Sequence, residues 1–143
     1  MTADPLVYLL LRTHNRPEEF RRCVESISKQ SVIPKTIIIS DDKKDAYINE
    51  ITLPHQVFRP IHKKPQWWIR HHNPFNDYFN QVLSLIPDGQ YVYYLDDDDE
   101  LVDTDWIKTI IEENVDLLIG RFQLGKSHKG KIIGKEVVRG KIG

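Results

Sequence analysis

Four consecutive aspartates, Asp96-Asp97-Asp98-Asp99, follow the aromatic and apolar run Tyr91-Val92-Tyr93-Tyr94-Leu95. Between Asp96 and Asp105 there are seven carboxylates and no cation. Like charges at that density repel one another, so their collection needs a physical reason, and a hard divalent cation supplies one. Mn²⁺ and Mg²⁺ take oxygen ligands and hold substrate phosphates while keeping some of their waters. On an extended chain alternate side chains point to opposite sides. Asp96 and Asp98 therefore share one side and Asp97 the other, unless the backbone turns. Asp98 is expected as a direct metal ligand with Asp96 as its partner, and Asp96 or Asp97 can reach a ribose or a metal-bound water. The plainer alternative is a solvated acidic turn.

Two further polar groups leave apolar runs in the same way. Thr13-His14-Asn15-Arg16 follows Leu6-Val7-Tyr8-Leu9-Leu10-Leu11, and Asp41-Asp42 follows Ile37-Ile38-Ile39. An ionised carboxylate only accepts hydrogen bonds, so Asp41 or Asp42 can receive an imino N–H of uracil or a ribose hydroxyl; capping a helix is the other reading. Thr13 can contact a base or simply end a strand, and Asn15 and Arg16 beside it are candidates for the same ligand. Arg70, with Lys63, His71 and His72, is a candidate for a pyrophosphate, because charge-assisted contacts to phosphate are strong and arginine makes them bidentately. Trp67 and Trp68 can cover a sugar or base, although tryptophans more often pack in a core. The histidines lack zinc-like spacing. Cys23, the single cysteine, rules out an internal disulfide and reads as a small buried hydrophobe on a helix.

The elements that must position these groups alternate in type. Leu6–Leu11 is a continuous apolar stretch, and Thr36–Ser40 carries another in Ile37-Ile38-Ile39, the pattern of parallel strands covered on both faces. Pro17 in a first turn, with Glu18 and Glu19 behind it, starts a helix whose buried stripe is Phe20, Cys23 or Val24, and Ile27. A short helix is expected over Asp45–Glu50 and a third strand over His55–Arg59. Asn73 and Pro74 open a middle helix with Phe75, Phe79, Val82, Leu83 and Ile86 inward. Tyr91–Leu95 is a strand. Thr104 caps a last helix that buries Trp106 or Ile107, Ile110 and Ile111. Leu117–Phe122 is a further strand, and Ser127–Gly130 turns the chain toward Lys131-Ile132-Ile133. Strand, helix, strand implies right-handed crossovers and an α/β fold: a mostly parallel, Rossmann-like sheet with helices on both faces. In such a sheet the strand exits line one crevice, where ligands bind.

The chain has 143 residues, enough for one core. Residues 1–124 are expected as one α/β domain, and 125–143 as a basic segment continuing it. Twenty basic and 21 acidic side chains give a formal charge of -1, which excludes a global pull toward nucleic acid. The basic segment carries five lysines and Arg139 against Glu136. It can meet a membrane surface or a protein, or remain solvated. The first apolar run is stopped by Arg12 well below spanning length and lacks a basic leader. A cytoplasmic protein, with a place at the membrane surface through its basic segment, is the expectation.

The arrangement resembles glycosyltransferase family 2, inverting enzymes of the GT-A fold. The stretch Leu11-Arg12-Thr13-His14-Asn15-Arg16-Pro17 through Ser26-Ile27 and Gln30 looks like that family's opening strand, turn and helix. Ile37–Asp42 looks like its second strand with the base-binding aspartate, and YVYYLDDDD (Tyr91–Asp99) like the segment ending in its DxD motif. The resemblance implies nucleoside contacts from Thr13 and Asp42, a ribose contact from Asp96 or Asp97, and a metal contact from Asp98. It matches Arg70 to a basic residue before the middle helix. It also implies a nucleotide-diphosphate sugar donor, a UDP-sugar by preference, and a glycan, lipid or protein acceptor. Lys43-Lys44 stand where Gly-Ser is common, and Asp103 where proline is common. The acceptor-binding half and catalytic aspartate of the family find no counterpart before Gly143, and Glu136 is not assigned as base. Two alternatives remain. One is a non-catalytic domain that binds a nucleotide sugar or cation and acts through a partner. The other is a phosphotransferase or phosphatase of the haloacid dehalogenase kind, although Glu100 stands two residues past the second aspartate, where that family has threonine or valine.

Overall fold

Leu9, Leu10 and Leu11 are all fully buried, which requires a strand with neighbours on both sides and helices above and below. In the computed structural model that strand is Val7–Thr13 (β1). It pairs in parallel with Lys35–Ser40 (β2) on one side and Tyr91–Asp96 (β4) on the other, and His55–Phe58 (β3) adds to β2. The sheet order is β3-β2-β1-β4. The structure describes residues 6–40, 46–61, 75–114, 116–119, 122–123, 132–133 and 138–140. By internal contacts, residues 1–111 form one compact unit and 112–143 a second.

Register decides what each face carries. Leu10 lies opposite Ile37 and Tyr94, and Arg12 opposite Ile39 and Asp96. Paired residues of a parallel ladder share a face. The Leu10, Ile37 and Ile39 face is covered by Tyr78 and Val82 of the helix Phe75–Leu83 (α2). On the opposite face Tyr93 meets Trp106 of the helix Trp106–Glu113 (α3), with ring centroids 6.0 Å apart. The helix Pro17–Ser28 (α1) buries Phe20, Cys23, Val24 and Ile27, the stripe expected from spacing. A 3₁₀ helix, Ala46–Glu50, stands where a short helix was expected. Among the described residues no helix is long and apolar enough to cross a membrane.

Three expectations are corrected. The buried face of α2 is rotated: Tyr78 is 2% exposed and Val82 fully buried, while Leu83 is 37% exposed and Phe79 and Ile86 are partly covered. A tyrosine ring buries as much apolar surface as a phenylalanine, and residues four apart share a helix face. The last helix is capped by Asp103 rather than Thr104. Asp103 Oδ1 accepts the Asp105 N–H at 2.9 Å. The Thr104 carbonyl instead accepts the Ser31 N–H at 2.8 Å. The Leu117–Phe122 run is two short strands with different partners. Leu117–Ile119 (β5) pairs antiparallel with Val138–Gly140 (β8), and Phe122–Gln123 (β6) with Ile132–Ile133 (β7). The second pairing fits the return of the chain toward Ile132-Ile133. The Asn73-Pro74 helix start lies outside the described residues.

Gln30 ties α1 to the start of α3. Its amide donates to the Asp103 carbonyl at 2.7 Å and accepts the Ile107 N–H at 3.1 Å, satisfying one of the donors that a helix start leaves unpaired. The acidic segment between β4 and α3 is thereby held at its far end.

The rotated face of α2 is testable. Tyr78→Ala should cost about 3–5 kcal/mol in urea unfolding, and Leu83→Ala less than about 1 kcal/mol. Equal losses would contradict this helix register.

Candidate functional site

The four parallel strands deliver their carboxyl ends to one edge. Thr13, the last residue of β1, lies opposite Ser40, the last of β2, and Asp96 ends β4. Ser40 immediately precedes Asp41 in sequence. Arg59, after β3, donates to Ser40 Oγ at 3.0 Å. Asp41, Asp42 and Arg70, with Lys63, Trp67, Trp68, His71 and His72, lie outside the described residues. The site can therefore be built from the exits of β1 and β4.

Asp96 stands on the Leu10 face of the sheet, its Oδ1 3.4 Å from Arg12 Nη2. The chain then turns, with the Asp99 N–H donating to the Asp96 carbonyl at 3.0 Å. Asp97 goes inward and is 2% exposed. Its Oδ2 accepts the Thr13 hydroxyl at 2.9 Å, and its carboxylate also accepts the His14 backbone N–H. Burial pushes the Asp97 carboxyl above the usual carboxylate range, opposed by the Thr13 bond and the Arg16 charge. Of the two aspartates expected to reach a ribose or a metal-bound water, Asp96 and Asp97, the structure turns Asp97 into the protein.

The turn sends Asp98 and Asp99 outward. One carboxylate oxygen each from Asp96, Asp98 and Asp99 lies within 4.8 Å of the others. Opposite oxygens around one Mg²⁺ are about 4.2 Å apart, so a small side-chain adjustment would close this set on one ion. Three carboxylates and no sulfur or nitrogen suit Mg²⁺ or Mn²⁺. The expected pair, Asp96 and Asp98, is brought together, and Asp99 joins it. Its signal in the sequence was its place three residues after Asp96, where a turn closes. Desolvation raises the Asp99 carboxyl above its ordinary range, and repulsion from Asp98, Asp96 and Asp97 adds to the shift. Asp99 is exposed as a residue, so solvent screens part of that effect.

Asn15 has φ 50°, a left-handed conformation that asparagine tolerates better than most residues. It lets the chain reverse between β1 and α1. Arg16 then swings back over the acidic turn, with Nη1 3.5 Å from Asp97 and 3.2 Å from Asp98. It is half-exposed there and faces the outer carboxylates. Tyr47, in the 3₁₀ helix, was missed by sequence reasoning. Its hydroxyl lies 2.8 Å from Thr13 Oγ1, and nothing in the spacing of a short irregular helix pointed to it. Cys23 is buried, as expected, with Sγ 3.6 Å from the Asp96 carbonyl. Burial and the neighbouring carboxylates push its thiol far up, which leaves it no thiolate for nucleophilic work.

A parallel α/β sheet with polar turns at its carboxyl edge defines a class of domain that binds ligands in the crevice beyond its strands. Within that class, the profile of glycosyl transferase family 2 matches residues 9–132. The chain belongs to this family, and its sheet and flanking helices are those of the Rossmann-like GT-A fold expected from the sequence. A comparison with curated proteins found no match. Among solved structures the chain is similar to S. aureus TarS, at 18% identity over 73% of this chain and 18% of that one, with a TM-score of 0.44. It is also similar to S. aureus TarS 1-349, at 18% identity over 66% of this chain and 28% of that one, with a TM-score of 0.39. The chain thus spans under a third of the length of either.

The raised Asp99 carboxyl has a consequence for the metal-free protein. The fold holds the Asp99 proton more tightly than the unfolded chain does. Its contribution is therefore full below the unfolded pKa and is lost as pH rises through the folded value. Asp99→Asn should raise the urea midpoint at pH 7 and change it little at pH 3, measured with chelator present. A lowered midpoint at pH 7 would show that the charge is not strained.

Proposed function

We propose that this chain forms the donor-binding part of a metal-dependent, inverting glycosyltransferase that moves a sugar from a nucleotide diphosphate, a UDP-sugar by preference, to an acceptor hydroxyl. One observation carries the reading: in a family 2 chain, the carboxylates of Asp96, Asp98 and Asp99 converge at the carboxyl edge of the sheet, beside Arg16.

Asp98 and Asp96, with Asp99, would hold Mn²⁺ or Mg²⁺. That ion supplies charge stabilisation to the departing diphosphate. Arg16 already lies at the outer carboxylates, where a guanidinium can also pair with a phosphate oxygen. Arg70, which precedes α2 in sequence, is proposed to do the same. Asp42, and Asp41 beside it, are proposed for the uracil and ribose, on the argument that a carboxylate accepts their N–H and O–H groups. Asp97 acts from inside by fixing the turn, and Asn15 by reversing the chain. For an inverting displacement, a carboxylate near the acceptor takes the hydroxyl proton. None of the described residues is assigned that task. A glycan, lipid or protein acceptor is compatible with these roles. The haloacid dehalogenase reading loses its ground, since the acidic motif follows the fourth strand and the chain belongs to a different family.

Isothermal titration with UDP, with and without Mn²⁺, tests the reading. Binding that strengthens with Mn²⁺ is expected, and no binding in either condition would refute it. Asp98→Ala should weaken the Mn²⁺-dependent affinity about tenfold or more, whereas Asp103→Ala, which removes a helix cap, should lower stability by about 1 kcal/mol and leave affinity unchanged. Equal small effects would contradict the assignment of Asp98.

A further inference from the structure

Tyr47 has no place among the groups proposed for donor or ion, yet it meets the exit of β1 and the start of α1. Its 3₁₀ helix follows the Asp41-Asp42 exit of β2 in sequence. Its hydroxyl oxygen accepts the Arg16 backbone N–H at 3.3 Å and lies 2.8 Å from Thr13 Oγ1. Its ring packs edge-on against Phe20 of α1, with centroids 5.1 Å apart.

Proton counting gives this arrangement a direction. Each hydroxyl has one proton to donate. That of Thr13 goes to Asp97 Oδ2 at 2.9 Å, so Thr13 can only accept from Tyr47. Tyr47 in turn accepts from the Arg16 amide and donates to Thr13. The bonds run one way, from the Arg16 N–H through Tyr47 and Thr13 to the buried carboxylate. Bonds aligned in this manner polarise and strengthen one another.

We infer that Tyr47 is a positioning residue for the donor and ion site: by keeping the Thr13 proton on Asp97, it holds the acidic turn in the form that groups Asp96, Asp98 and Asp99. This rests on the donor-binding reading above. It also changes the part assigned to Thr13. Thr13 is 1% exposed and its hydroxyl has committed its proton inward, so Thr13 serves the site through Asp97 and has no proton for a nucleobase.

Tyr47→Phe removes the hydroxyl and keeps the ring against Phe20. In isothermal titration of the full chain with UDP and MnCl₂, this variant should bind about 3- to 10-fold more weakly than the unmodified chain. Thr13→Val should weaken binding by a comparable factor, and Thr13→Ser should retain it. Tyr47→Phe added to Thr13→Val should cause no further loss, because the chain of bonds is already cut. Val82→Ala, which opens a cavity under α2 away from the site, should lower stability and leave affinity unchanged. Unchanged affinity in Tyr47→Phe would overturn the inference, as would an equal added loss in the Thr13→Val background. If the unmodified chain bound no UDP, the donor reading would fail and this inference with it. Retained binding in Tyr47→Phe, by contrast, would remove only the role of Tyr47.

Discussion

Taking a carboxylate out of water is costly unless its oxygens are met by donors. Asp97 is buried at the end of β4 and meets the Thr13 hydroxyl, the His14 N–H and the Arg16 guanidinium. All three partners lie at the exit of β1, so the cost is offset only if β1 and β4 end side by side. Their parallel register, with Arg12 opposite Asp96, ensures that. Once Asp97 points inward, the turn that follows must send Asp98 and Asp99 outward, next to Asp96. The acidic edge is thus a consequence of one buried carboxylate and the geometry of a tight turn.

The outer carboxylates repel one another, and the protein answers with cations placed by the same strands. Arg12 reaches Asp96 from within the sheet, and Arg16 reaches Asp98 from the start of α1. Arg16 occupies the cap position of α1 without a side-chain capping bond. Its guanidinium is spent on the acidic turn instead. Half-exposed pairs of this kind contribute little to stability. Their placement matters more for the chemistry of the edge: its carboxylates suit a small divalent cation, and the arginines beside them an anion.

Much of this was legible in the sequence, for reasons particular to certain residues. Leu9-Leu10-Leu11 and Ile37-Ile38-Ile39 could be buried on both faces only in central parallel strands, and they are. Phe20, Cys23, Val24 and Ile27 recur at helical spacing and form the stripe of α1. The grouping of Asp96 with Asp98 was readable, but by a different route from simple alternation: the turn closed by Asp99 brings them together. The burial of Asp97 was not legible, because a run of identical aspartates gives no hint of which one is held inside. Tyr78 was passed over because a hydroxyl counts against burial in a pattern read by residue type. Tyr47 was invisible, since its role comes from a contact 34 residues distant in sequence and not from any local period. The Thr104 cap failed for a subtler cause. Asp103 caps from one position earlier, and Thr104 lends its carbonyl to Ser31.

The central claim is that a carboxylate held inside fixes three others around a cation. A crystal soaked with MnCl₂ and UDP, with anomalous scattering recorded for manganese, would show where the ion goes. The account predicts one peak in bonding contact with Asp98 and at least one of Asp96 and Asp99, with Asp97 still on Thr13. Manganese bound elsewhere, or Asp97 drawn out of the protein to become its ligand, would contradict it.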